Sequence, residues 1–398
     1  MASIKTINPL NLSTHNQSIS IFDSVVDVPV EWDKFSQNNL FLQKHFLQVL
    51  EDTPPSNTAF IYVIVKNNDR VIGIIYYQYK VIDLYLSLRL DLVKPIGIWQ
   101  SIKHTFKKLA AKTLKSYVLV CGNMALTGEN GYGFDRDIAP DVMYITIAES
   151  TEQVVRYLKH QGKSIKAVLI KDFYTKKENS AKEWSFTQFN VQPNMIMDIR
   201  STWTSFDDYI GSMKSKYRVR VRRARKKAEK LSSRALTLDE IEHYQDDISM
   251  LYNNVADQAS FNLFILPPNY FYSLKKQLGK NINVIGYFDG EKMVGFYTNI
   301  INGNELDAHF LGYDPSCNQE CQLYLNMLYD LVNDAIELKT HKLILSRTAM
   351  EIKSSIGAEA KEMHLYLKHT NSIINLGMKK SLSFFTPVTN WVARSPFK

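Results

Sequence analysis

Apolar and polar positions along the chain fall into two stretches that run in similar order. In the first, Tyr62-Val-Ile-Val-Lys-Asn-Asn-Asp-Arg-Val-Ile-Gly73-Ile-Ile-Tyr76 reads as strand, tight turn, strand. In the second, Val284-Ile-Gly-Tyr-Phe-Asp-Gly-Glu-Lys-Met-Val-Gly295-Phe-Tyr-Thr298 reads the same way. Setting Gly73 on Gly295 places Asn67-Asn68 on Asp289-Gly290, and both dipeptides suit a two-residue hairpin turn. A helix is expected before each hairpin (41–50 and 268–278), and an apolar strand after each (117–121 and 342–346). Two copies at this spacing predict a duplicated unit.

The second stretch continues as strand 305–313, long helix 320–338, strand 342–346, short helix 349–356 and a final strand 362–368. Tyr324, Met327, Leu328, Leu331, Ala335 and Ile336 form one apolar face of the long helix. A hairpin followed by strand–helix–strand predicts an α/β fold, a mixed sheet with a right-handed parallel crossover. The expected partition is an irregular N-terminus over 1–18, a first domain over 19–180, a linker over 181–193 and a second domain over 194–398. The polar run 176–182 and the turn signal Gln192-Pro193-Asn194 mark the break. The aromatic, proline-bearing end, 381–398, is expected to dock on the surface.

With 398 residues, 45% of them hydrophobic and 22% charged, the chain can bury two cores without metals or disulfides. Its three cysteines, Cys121, Cys317 and Cys321, have no framework or zinc-ligand spacing, which points to a reducing compartment. The polar first twenty residues lack the apolar region of a signal peptide, and no stretch is apolar enough to span a membrane, so the expected location is cytoplasmic. The net charge of +8 is concentrated. The window 214–230 holds ten basic residues and one acid, Glu229, which leaves −1 for the rest of the chain. Tyr217, Val221, Ala224, Ala228 and Leu231 recur there at helical spacing. This is a basic helix with a narrow apolar stripe, either a solvated face or a surface for a polyanion.

The order of elements resembles that of the GNAT superfamily of N-acyltransferases. Trp203-Thr-Ser-Phe-Asp-Asp-Tyr-Ile, followed by Ser215-Lys-Tyr-Arg and the basic helix, is similar to the entry to the second domain of Fem-type proteins, the peptidoglycan aminoacyltransferases and their biosynthesis/recognition relatives. Asp307-Ala-His-Phe-Leu-Gly-Tyr-Asp314 and Arg347-Thr-Ala-Met-Glu-Ile-Lys-Ser-Ser-Ile-Gly357-Ala look like the core strand and following helix of those relatives. The resemblance implies two tandem GNAT-like domains, the first one degenerate. It also implies transfer of an acyl or aminoacyl group from an activated donor to an amine, with a cell-envelope precursor as a candidate acceptor. No tightly bound cofactor is expected. The donor would be an acyl-CoA, an acyl carrier protein or an aminoacyl-tRNA. Many CoA-using members carry a glycine loop before the long helix whose N–H groups hold pyrophosphate. Here the matching stretch, Asp314-Pro-Ser-Cys-Asn-Gln-Glu-Cys321, has no glycine and carries acids.

Asp307 and His309 alternate on one predicted strand and so share a face, which Leu311 and Tyr313 are expected to continue. A carboxylate beside an imidazole can orient it and raise its basicity, which suits deprotonation of an ammonium. The same pattern also describes a hydrogen-bonded histidine on a half-buried strand. Arg347 falls at the C-terminal end of a strand, where it can clamp an anion or pair with Glu351. Lys216, Arg218 and Arg222 are the substrate-facing candidates of the basic helix, with Lys353 and Ser354 as weaker ones. Gly128-Glu-Asn-Gly131-Tyr-Gly133 reads as a flexible loop near a shared cleft. The competing function is a non-enzymatic module that binds nucleic acid or an anionic membrane through the basic helix.

Overall fold

The computed structural model describes residues 10–12, 17–83, 115–176, 184–258, 264–385 and 391–397. The first half carries β1 (Leu10–Asn11), β2 (Gln17–Phe22), α1 (Glu31–Ser36), α2 (Lys44–Asp52), β3 (Ala59–Asn67), β4 (Arg70–Asp83), β5 (Lys115–Cys121), β6 (Tyr132–Phe134), α3 (Pro140–His160), β7 (Ile165–Phe173) and β8 (Thr187–Asn190). The second opens with β9 (Asn194–Asp198), α4 (Phe206–Ser212), α5 (Ser215–Lys227), β10 (Ser232–Ala235), α6 (Leu238–His243), α7 (Gln245–Ala256) and α8 (Tyr270–Leu278). It continues with β11 (Ile282–Asp289), β12 (Lys292–Asn302), β13 (Glu305–Tyr313), α9 (Pro315–Cys321), α10 (Leu323–Glu337), β14 (Lys342–Ile344), α11 (Met350–Ser355), β15 (Glu359–Lys361), β16 (His364–His369) and α12 (Ser372–Phe385).

The two expected hairpins are equivalent down to their register. In the first, Val65 pairs with Gly73 and Lys66 with Val71. In the second, Tyr287 pairs with Gly295 and Phe288 with Met293. Each therefore has one bulge at the same place, with a glycine just beyond it, and the turns use left-handed Asn68 and Gly290. The glycines permit close packing: a Cβ on Gly295 would lie 2.7 Å from Met327 Cε, and one on Gly73 would enter the Phe134 ring.

Sheet order is β1-β2-β3-β4-β5-β7-β16-β8 in the first half and β10-β11-β12-β13-β14-β9-β15 in the second. In both, an antiparallel run leads to one parallel pair, β5 with β7 and β13 with β14, joined through α3 and α10. These are two mixed, helix-flanked sheets, as the element order predicts. The strand beside the first parallel pair comes from the other half of the chain, whereas the strand beside the second, β9, lies in its own half. β16 pairs with β7 and β8, and β9 pairs with β14 and β15. The final strand, expected to close the second half's own sheet, thus belongs to the first. Sequence adjacency does not decide pairing when two similar sheet edges compete for similar strands.

Two further departures are local. The expected long helix is broken at Gln322, whose φ of 52° separates α9 from α10. The chain's end docks as expected: Phe397 packs with Trp203 and Tyr209, and the Pro396 carbonyl accepts from Lys214 N at 2.8 Å. The expected boundaries 18/19, 180/181 and 193/194 meet partly undescribed segments: 13–16 and 177–183 lie outside the described residues, as do 1–9 of the N-terminus and 386–390 and 398 of the end.

The two sheets face each other across one apolar core. It joins Phe60, Tyr62 and Tyr76 of the first sheet to Phe296 and Ile300 of the second, with α2 and α8 packed between. α3 covers the outer face of the first sheet, and α5 and α10 that of the second. At about 25 cal/mol per Å² of apolar surface, burying these aromatic side chains is the dominant force joining the halves.

Candidate functional site

The middle of β13 carries an irregularity that the sequence pattern did not announce. Tyr297 pairs with Leu311 and Asn299 with Ala308, so both His309 and Phe310 oppose the single residue Thr298. The Thr298 hydroxyl fills the mismatch, accepting from Phe310 N and donating to Phe310 O, both at 2.9 Å. An inserted residue reverses the alternation beyond it. Asp307, His309 and Phe310 therefore face the core shared by the halves, while Leu311 and Tyr313 face the outer core, where Tyr313 packs against Tyr324. The expectation that Tyr313 shares the Asp307–His309 face is thereby corrected.

The two remaining candidates are close but do not form the expected pair. His309 Nε2 lies 2.8 Å from the hydroxyl of Tyr270, on α8, and no hydrogen bond joins it to Asp307. Asp307 Oδ2 is buried without a hydrogen-bond partner. Both residues are half-buried, yet burial dominates the titration of their polar groups. It lowers the His309 imidazole to about 3 and, helped by Glu305, pushes the Asp307 carboxyl well above the usual carboxylate range. At neutral pH the imidazole of the resting site is neutral, and the Asp307 carboxyl is harder to ionise than an ordinary one. The expected carboxylate-raised basicity of His309 is absent because the carboxyl makes no bond to the ring and burial lowers the imidazole.

The sheet splits beside these residues. β13 and β14 pair only from Glu305–Lys342 to Asp307–Ile344, although β13 runs on to Tyr313. Beyond Ile344 the chain stays with β9 instead, through Leu345 N to Met195 O at 2.8 Å and Met195 N to Ser346 O at 3.1 Å. The edge of β13 from Ala308 onward is thus left open towards β14. In the first sheet the matching pair stays zipped to its end, from Tyr117–Ile165 to Cys121–Ile170. Asn194 opens β9, next to the Met195 that bonds to Leu345 and Ser346. It is fully buried, its Nδ2 donates to Tyr174 Oη at 2.9 Å, and its Oδ1 is unpartnered.

Arg347 lies at the end of β14, as expected, but it is engaged. It pairs with the fully buried Asp172, which also binds Lys171 and the Gly128 amide (3.2 Å), and its Nε donates to Gln192 O at 3.1 Å. Glu351 pairs with Arg394 of the C-terminal end and not with Arg347, so the expected alternative partner is also corrected. The cause is left-handed backbone at Ser346, Thr348 and Ala349, which turns Arg347 towards the first half. The buried Lys353 ammonium holds this turn, donating to the carbonyls of Leu345 and Arg347, each at 2.6 Å. Its pKa is lowered to about 7 by burial.

The basic helix α5 buries Tyr217, Val221 and Ala224, as its stripe predicts. It packs on the outer face of the second sheet with α9 and α10, so Lys216, Arg218 and Arg222 lie across the sheet from Asp307 and His309. Arg225 pairs with Asp330 at 2.6 Å, Lys230 with Asp289 at 3.0 Å, and Arg218 donates to Met213 O at 2.7 Å. Lys216, Arg222, Arg223, Lys226 and Lys227 are exposed and have no ion pair among the described residues. The stretch 314–321 is helical: Asp314 caps α9, and Asn318 Oδ1 accepts from Tyr324 N at the start of α10. That N-terminus is thus already partly capped from within. Among the described residues no cluster of histidine, cysteine or acidic side chains could hold a metal, and no helix is long and apolar enough to cross a membrane.

Tyr270, Asn194, Lys171 and Asp172 were not singled out from sequence. Only the adjacent opposite charges Lys171-Asp172 at a strand end, mirroring Arg347, offered a signal.

No family model and no curated protein matches the chain. Among solved structures it is similar to FemX, with 10% identity, TM-score 0.49, and coverage of 88% of this chain and 98% of that one. It is also similar to L-PGS from Bacillus licheniformis (9%, TM-score 0.45, 89% and 96%) and to a tandem GNAT protein from the clavulanic acid biosynthesis pathway (9%, TM-score 0.43, 83% and 88%).

Proposed function

We propose that the chain is an N-acyltransferase whose second half brings an activated acyl or aminoacyl donor and an amine acceptor together at the split between β13 and β14. The observation that carries this reading is the open edge of β13 with Asp307 and His309 beside it. A parallel pair that separates in mid-sheet exposes main-chain groups that only a ligand or water can satisfy. The first half, whose matching pair stays closed, then serves as a wall of the acceptor cleft. The donor enters from the outer face, where the unpaired cations of α5 favour an anionic carrier: a CoA thioester, an acyl carrier protein or an aminoacyl-tRNA. The partly capped start of α10 makes a pyrophosphate cradle of the glycine-loop kind a poor fit.

The acceptor ammonium supplies the hydrogen-bond donor that Asp307 Oδ2 lacks. Once ionised, a carboxyl held above its usual range is a stronger base than an ordinary one, so it can take one proton from that ammonium. The freed amine attacks the acyl carbon; the C–N bond forms, the donor's C–S or C–O bond breaks, and the leaving group takes up a proton. Holding both reactants in the split supplies most of the acceleration.

A thermal-shift panel of a CoA thioester, a holo acyl carrier protein and an aminoacyl-tRNA tests this, since a ligand of the native state raises the melting temperature. One donor should shift it and support transfer to an amine. No shift and no transfer with any of them would remove the reading. The unpaired cations of α5 also favour a second reading, a nucleic-acid or anionic-membrane binder. Steep salt-dependent release from heparin without transfer from any donor would select it.

A further inference from the structure

The hydrogen bond between Tyr270 and His309 determines more than the position of the ring. Tyr270 is fully buried on α8, and among the described residues its hydroxyl has one partner, His309 Nε2 at 2.8 Å. A phenol has one proton to give, and a neutral imidazole has one bare nitrogen and one N–H. Were Nε2 to carry the proton, it would donate to the phenolic oxygen and leave the buried Tyr270 O–H without an acceptor. That orphan would cost about 1–3 kcal/mol. The opposite arrangement, with Tyr270 O–H donating to a bare Nε2, satisfies both groups. It leaves the imidazole proton on Nδ1, which has no partner among the described residues.

We propose that Tyr270 is the positioning residue that locks His309 in the Nδ1–H tautomer, so that at the split His309 acts as a hydrogen-bond donor and cannot serve as the base. This rests on the acyl-transfer reading for its use: the Nδ1–H is the group available to the acyl carbonyl oxygen as it gains negative charge. It divides the labour between neighbours, with proton removal at Asp307 and oxyanion support at His309. The titratable groups around the imidazole agree with a neutral ring. Asp307 on the same strand has its carboxyl raised by burial and by Glu305, and Tyr270 is a phenol that burial keeps protonated, with the buried phenol of Tyr252 on α7 next to it. Burial moves the imidazole's titration downward, and no anion raises it.

The test needs no substrate, so its outcome is independent of whether the acyl-transfer reading stands. The full-length chain, labelled with ¹⁵N-histidine, is examined by long-range ¹H–¹⁵N correlation. His309 is assigned among the nine histidines by its loss in His309→Gln. If that variant does not fold, the assignment uses the one histidine whose signals move in Tyr270→Phe. The expected result at pH 7 is a protonated Nδ1 and a bare Nε2. In Tyr270→Phe, the two nitrogen signals should converge as the tautomers begin to exchange. A proton on Nε2, an imidazolium at pH 7, or a Tyr270→Phe spectrum with an unchanged tautomer would overturn the assignment.

Discussion

Asp307 and His309 stand two residues apart on one strand, and burial moves their titration in opposite directions. For Asp307 acting as base, only the ionised carboxyl works, so kcat should rise with pH through a limb lying above the ordinary carboxylate range. Asp307→Asn should flatten that limb and lower kcat by roughly 10²–10⁴, the usual worth of a positioned base, with KM little changed. For His309 the consequence is read in stability. Its pKa is about 3 in the folded chain and 6.5 when unperturbed, so between those values the unfolded chain binds the additional proton. The stabilisation is complete above pH 6.5 and is lost as pH falls towards 3, at up to about 1.4 kcal/mol per pH unit. Urea unfolding of His309→Gln from pH 7 to 4 should show a shallower decline than the parent chain. An identical decline would mean the imidazole is not buried in this way.

Among the elements, the paired hairpins were readable because their information is local: two-residue turns, alternating apolar residues, and glycines where another side chain comes within contact distance. Gly295→Val should destabilise by about 1–3 kcal/mol in chemical denaturation, because the added carbons meet Met327 and Leu323 on α10. α3 was not readable in the same way. Its inward face carries Thr146, Glu149, Ser150 and Thr151, all buried, and these polar residues interrupt the stripe that marks α10 so plainly. The bulge in β13 was also illegible. Nothing in Asp307-Ala-His-Phe-Leu-Gly-Tyr says that one residue is supernumerary, since the count depends on the partner strand and on the Thr298 hydroxyl that accommodates it. That single residue divides the candidate site, keeping Asp307 and His309 inside and placing Tyr313 on the other face.

Over the whole molecule, the halves are joined by β16, which the second half contributes to the first half's sheet, by a shared aromatic core and by one buried ionic cluster, Lys171–Asp172–Arg347. Asp172 is fully buried between two cations, so removing it leaves both uncompensated. Asp172→Ala should cost about 3–5 kcal/mol in global unfolding, the penalty for breaking a buried pair on one side. A loss under 1 kcal/mol would show that water reaches the cluster. Sequence alone determined the duplication, the strand–turn–strand units, the apolar face of α10 and the position of Asp307 and His309 on one strand, because each follows from spacing within a few residues. Tertiary structure alone decided which sheet receives β16, where β13 parts from β14, and which partner Arg347 and His309 take. Those outcomes depend on register and on contacts between distant segments, where similar edges compete and a one-residue offset changes every neighbour.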